Sequence, residues 1–389
     1  MQIRARDLTI FIFITMASLM LPDCVQQYVS PYKSPVTGYL VVDGYLSGNS
    51  PTQYSLSRSI SLPGDSAIPA VTGASLQVEG DDNSIYPLSE QGGGNYGVDT
   101  LALSTAVKYR LRIAIPGGET YLSDYVPYKP TPPIDSINWV SDPSTGVTIY
   151  ANTHDPTGNT RYYQWKYLQT YEYNSAEYSG FYYDHPSNSI LARPQSEQIY
   201  TCWKNVPLYD IIIGNSTKLA QDVIYEHPLV VIAPNTQPLS VEYSILVSQY
   251  SLTDSGYNFL SQMQQNTQAL GSIFDQQPTQ ITGNIHSLSN PTEQVIGFVS
   301  AGTLQQKRIF INRFQLPNWL WLFKCGDPDQ AIPNDPDSFP LYLYNTDKIP
   351  VYQQITQSGA ILWEINDIGC VDCRAQGGST AKPSYWPAN

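Results

Sequence analysis

Charge is scarce in this chain, and positive charge is scarcer. Charged residues are 14% of 389, and 20 Lys and Arg face 33 Asp and Glu, for a formal net charge of −13. Phosphate backbones require a Lys/Arg excess on at least one face. No basic run exists beyond the N-terminus, so nucleic acid is excluded as a partner. Histidine is nearly missing as well. His154, His185, His227 and His286 are the whole set, none of them in a metal-ligand spacing such as H-E-x-x-H. Three of them precede Asp or Pro, as turn residues do. Neither a G-x-S-x-G elbow nor a Walker loop occurs, so these motifs nominate no catalytic group or cofactor.

Long apolar runs are also lacking, except at the start. "MQIRARDLTIFIFITMASLMLPDC" sets Arg4 and Arg6 ahead of an apolar run from Leu8 to Leu21. That run falls short of the roughly 20 residues a spanning helix needs, and it has the n- and h-region form of a secretory signal. Residues 1–23 are therefore expected to be a signal peptide. Cys24 reads as the acylated (palmitate-bearing) cysteine of a bacterial lipoprotein, beginning a tether over 24–36. Asp23 and Pro22 depart from the small residues that normally precede such a cysteine.

Tyrosine and proline are abundant, at 30 each, which suits short strands interrupted by turns. The fold is expected to be mainly β. Over 37–130, stretches such as "TQYSLSRSISL" and "VKYRLRIAI" alternate with "GDDNS" and "PGGE" turns. They predict an immunoglobulin-like or transthyretin-like sandwich. "PYKPTPPIDSINW" forms a stiff boundary, and a larger β-rich domain is expected over 131–389. One amphipathic helix is predicted near 255–270, with Tyr257, Leu260, Met263, Thr267 and Leu270 at helical spacing. Asp254 or Ser255 is its expected N-cap and Gly271 its stop.

"GGGNYG", residues 92–97, satisfies G-x-G-x-x-G but lies between strands, so its glycines read as hairpin residues and not as a phosphate cradle. Asp327, Asp329, Asp335 and Asp337 cluster in a way that could hold calcium. They lack EF-hand order, and a solvated loop is the favoured reading. Export places Cys202, Cys325, Cys370 and Cys373 in an oxidising compartment as an even set, which predicts two disulfides with three pairings open. The C-V-D-C spacing also fits half a zinc ribbon or a redox pair, but a second close pair is missing.

The most distinctive stretch is "RYYQWKYLQTYEYNSAEYSGFYY", 161–183. Alternate positions Tyr163, Trp165, Tyr167, Tyr171 and Tyr173 define one aromatic strand face, expected to be mainly structural. The turn-rich continuation puts Tyr178, Phe181, Tyr182 and Tyr183 on a loop, where they are candidates for ligand or partner contact. A glycan or peptide is the expected ligand.

Several phrases together resemble a known family: "GYLVVDGYL", "GASLQVEG", "YLSDYVPY", "DPTGNTRYYQWKYLQTYEY", "YNFLSQMQQNTQALGSIFDQQPTQITGNI" and "CVDCRAQGGSTAKPSYW". The chain is similar to exported lipoproteins of the Bacteroidota catalogued as domain of unknown function 4249, often encoded beside TonB-dependent outer-membrane receptors. The resemblance implies a lipid anchor in the outer membrane and an accessory role to such a receptor in ligand capture or uptake. Which side of the membrane the protein faces stays open. The family supplies no catalytic residues. Two rivals stand beside this expectation: an exported hydrolase with carboxylates about 5 to 9.5 Å apart, and a structural envelope protein.

Overall fold

The computed structural model describes residues 38–60, 67–207, 210–268, 281–319, 325 and 330–387, and the fold is mainly β. The expected leader, Cys24, Leu270, Gly271, Asp327 and Asp329 lie outside the described residues.

Eight strands come first: β1 (Leu40–Ser47), β2 (Pro51–Arg58), β3 (Ser75–Gly80), β4 (Ile85–Gly92), β5 (Asn95–Thr100), β6 (Lys108–Ala114), β7 (Thr120–Ser123) and β8 (Val126–Lys129). Side-chain alternation sorts them: Thr52, Tyr54 and Leu56 of β2 point inward between exposed neighbours. The glycine-rich phrase turns the β4–β5 hairpin, and Gly92, Gly93 and Gly94 all take positive φ, a region open to residues without Cβ.

Beyond the proline-rich boundary come β9 (Ile134–Asp142), β10 (Gly146–Asp155), β11 (Tyr162–Asn174), β12 (Phe181–Asp184), β13 (Ser189–Ala192), β14 (Thr201–Pro207), β15 (Ile212–Asn215), β16 (Asp222–Ile232) and β17 (Glu242–Leu252). The helix α1 (Asp254–Gln268) follows. Its N-cap is Thr253, not Asp254 or Ser255: the Thr253 hydroxyl accepts from the Gly256 N–H at 3.1 Å. Asp254 is engaged instead by the Tyr162 hydroxyl at 2.6 Å.

The chain then returns to the first strands with β18 (Ile285–Ser287), β19 (Val295–Gly297) and β20 (Ala301–Gly302). β18 pairs with β7 and β19 with β1, while β20 lies between β1 and β8. Because β8 also pairs with β6, eight strands close in the order β1-β20-β8-β6-β3-β4-β5-β2. The expected sandwich is thus sealed into a barrel-like ring, which removes open edges, and its last strand comes from far along the chain. Leu40, Leu56, Val78, Tyr96, Leu111 and Ile113 fill its interior.

The second region has one core between two sheets, β16-β10-β9 and β14-β11-β17-β21 (Gln305–Asn312), with β15 also on β11. The aromatic face of β11 lies within it: Tyr163, Trp165, Tyr167, Tyr171 and Tyr173 are all buried. Four of the five polar tips have partners, Tyr171 the longest at 3.4 Å to Gln237 Oε1. Tyr163 donates to Asp222 at 2.7 Å, Trp165 to Gln249 at 2.9 Å and Tyr173 to the Cys373 carbonyl at 2.7 Å. Truncating one such ring to Ala costs about 3–5 kcal/mol.

A third, smaller core joins β22 (Gln330–Pro333), α2 (Phe339–Leu343), β23 (Lys348–Ile355) and β24 (Ile361–Asp367). The helix α3 (Ile368–Val371) leads to the tail. Two disulfides fasten this end: Cys202–Cys373 and Cys325–Cys370. Each cysteine of C-V-D-C therefore bonds a distant partner, and the close pair is neither a redox couple nor half a zinc site. Among the described residues no helix is long and apolar enough to cross a membrane.

Candidate functional site

The outward faces of two β regions meet in a cleft. On β1, alternation turns Leu40, Val42 and Leu46 into the barrel and leaves Val41, Asp43 and Tyr45 outside. On β11 the face opposite the buried rings carries Gln164, Lys166 and Leu168, and β17 adds Tyr250 and Leu252. The helix α1 closes one end through Gly256, Phe259, Leu260 and Met263, at i, i+3, i+4 and i+7. Gly256 lets it approach: a Cβ there would lie 3.2 Å from the Phe298 ring and 3.3 Å from the Ser300 hydroxyl. The space is about 510 Å³, within the range of ligand pockets.

Its walls are more apolar than polar. Tyr45 and Tyr250 meet edge to face at 4.8 Å across the seam, and Phe259 lies against Phe298 at 5.5 Å. Burial pushes the Tyr45 and Tyr250 hydroxyls above the usual phenol range, so both stay neutral near pH 7. Lys166 Nζ sits 3.7 Å from Asp43 Oδ1, both exposed. An exposed pair at that distance is worth about 0–1 kcal/mol, so it can open to a guest. Asp210 is the second carboxylate of the lining.

The far end of the same sheet face is covered by the chain's own tail. Trp386 is buried there, donating from Nε1 to Glu172 Oε2 at 2.9 Å. Tyr385 bonds Thr170 at 2.9 Å and lies 3.7 Å beneath the Arg308 guanidinium. Burial raises the Glu172 carboxyl above its ordinary range, and Glu242, directly opposite on β17, adds to the shift.

The loop aromatics are placed differently from expectation. Residues 181–184 form β12, paired with β13. Phe181 packs edge to face on Trp363 at 4.8 Å, and Tyr183 on Phe339 at 6.4 Å, both against the third core. They are structural, because alternation along a strand sends both to one side. Tyr182 lies 5.9 Å from the Arg193 guanidinium. Tyr178 is 59% exposed and leans on Tyr200, so it stays available to a partner.

Asp335 spends its carboxylate locally, accepting from the Asp337 N–H and the Ser338 hydroxyl. Asp337 is exposed. Among the described residues no group of three or more His, Cys, Asp or Glu could hold a metal. His154 pairs with Asp135 at 2.8 Å, which raises its pKa; His227 is stacked on Trp165 and lowered by burial.

Sequence reasoning missed the cleft. Its signal was apolar residues on strand faces that otherwise read as wet, such as Leu168 between Lys166 and Thr170. The model of a family described as a domain of unknown function (DUF4249) matches residues 27–308. The closing "CVDCRAQGGSTAKPSYW" phrase lies beyond that match. No curated protein matches the chain.

Proposed function

The chain belongs to the DUF4249 family, and from that premise we propose that it is an exported lipoprotein, a non-enzymatic binding accessory to a TonB-dependent outer-membrane transporter. The observation that carries the reading is the cleft between barrel and second sheet. It has ligand-pocket size and apolar walls, and the polar pair at its mouth is loose enough to exchange. The signal-like leader and Cys24 support export and anchoring through a palmitate-bearing cysteine. The resemblance to Bacteroidota lipoproteins encoded beside TonB-dependent receptors supports the partner.

Physically, the role requires capture without bond breaking. The tether would hold the cleft near a transporter mouth, where a modest affinity is amplified by effective concentration. Deleting the chain while leaving the neighbouring transporter intact should slow uptake of that transporter's ligand. Cys24→Ala should do the same without lowering the amount of protein. Unchanged uptake in both strains contradicts the proposal.

A structural envelope role is the second reading. It draws support from Phe181 and Tyr183, which pack on the protein's own core and not outward. Normal uptake combined with a weakened envelope after deletion would favour it.

A further inference from the structure

We propose that the cleft binds a zwitterionic amphiphile: an apolar chain lies between Leu168, Leu260 and Met263, and the charged head engages Lys166 and Asp43. This rests on the reading that the cleft is the protein's binding site, and it names the class of ligand.

The walls give the first argument. Leu168 and Leu252 from the sheet, Leu260 and Met263 from α1 and Ile296 from the barrel side are aliphatic or thioether surfaces. A sugar needs dense hydrogen-bonding partners around its ring, because each buried hydroxyl left unpaired costs about 1–3 kcal/mol. The lining is more apolar than polar, and of its polar side chains Tyr45 is already bonded to the Ser251 carbonyl while Lys166 and Asp43 face each other. An alkyl chain needs no polar partner, and Met263 can adapt its shape to one.

The mouth gives the second argument. Lys166 comes from the second sheet and Asp43 from the barrel, and they face each other at 3.7 Å with both side chains largely in water. A head carrying an anion and a cation can satisfy both at once. A purely anionic head would gain Lys166 but meet Asp43 and Asp210, two carboxylates against one ammonium. A purely cationic head would displace Lys166 from its partner. The geometry therefore selects paired charges over either sign alone.

The test uses the full chain and the neutral fluorophore N-phenyl-1-naphthylamine, whose emission rises in apolar surroundings. Competitors are dodecylphosphocholine below its micelle concentration, dodecanoate, and maltoheptaose. The proposal predicts displacement by the phosphocholine about threefold more tightly than by dodecanoate, the fold-change of one exposed ion-pair contact of about 0.7 kcal/mol, and none by the oligosaccharide. Asp43→Lys should reverse the preference toward dodecanoate. Leu168→Trp, or Met263→Trp if the first unfolds, fills the space and should weaken the probe about tenfold with the melting temperature retained. If dodecanoate competes as well as the zwitterion, or maltoheptaose displaces the probe, the ligand class is wrong while the cleft stands as the site. Unchanged probe affinity in a folded Trp variant overturns both the class and the site.

Discussion

Replacing Trp386 with Phe isolates one buried hydrogen bond. The ring keeps its packing against Phe310, at 5.3 Å edge to face, but Glu172 loses the N–H donor at 2.9 Å. A buried acceptor stripped of its partner costs about 1–3 kcal/mol, toward the upper end when the acceptor is charged. The cost must depend on pH. Glu172 already has a folded pKa above its unfolded value of about 4.3, chiefly through burial, and the Trp386 bond opposes that shift. A raised carboxyl favours folding fully only below the unfolded pKa, and that contribution is lost as pH rises through the folded pKa. Removing the donor raises the folded pKa further, so the penalty grows with pH. Urea unfolding followed by far-UV circular dichroism from pH 5 to pH 8 should show a loss that rises to about 1–3 kcal/mol. Adding Glu172→Gln should flatten the pH dependence. An equal loss at every pH, or none, refutes the reading that the Trp386 N–H holds down the pKa of the Glu172 carboxyl.

Other outcomes follow from the packing. Phe181→Ala should lower the melting temperature, at a cost of about 1–3 kcal/mol for a half-buried ring, and leave probe affinity at the cleft unchanged; a stable variant with altered probe binding would oppose this. Alkylation without reductant should label none of Cys202, Cys325, Cys370 and Cys373, and peptide mapping should return the 202–373 and 325–370 pairs. Reducing the Cys202–Cys373 bond, which spans 171 residues, should cost about 4–5 kcal/mol by loop entropy, read as a drop in urea midpoint. Gly256→Val should push α1 away from Phe298 and Ser300 and destabilise by about 1–3 kcal/mol, seen in thermal melts.

Local periodicity made much of this fold legible. The alternation Tyr163, Trp165, Tyr167 announced a buried strand face, and Tyr163 and Trp165 found partners for their polar tips in Asp222 and Gln249. The helix was legible from its spacing, although Thr253 took the cap because its hydroxyl lies one residue nearer the preceding strand. Local pattern could not report what sequence distance hides. β20 closes the barrel from residues 301–302, and the cleft joins Asp43 to Lys166, two faces that each read alone as solvent-exposed. The turn-rich look of 175–183 concealed a short strand, because Phe181 and Tyr183 are separated by one residue and share a side. Disulfide pairing depended on the tail folding back along β14, which no spacing encodes.

The central claim, that this protein works by contact at the outer membrane, is tested most directly by gentle detergent extraction of the untagged protein from its own envelope. Mass spectrometry of the extracted particle should find it in near-equal amounts with a TonB-dependent barrel. A chain that emerges alone, under conditions that preserve other membrane complexes, would contradict the account.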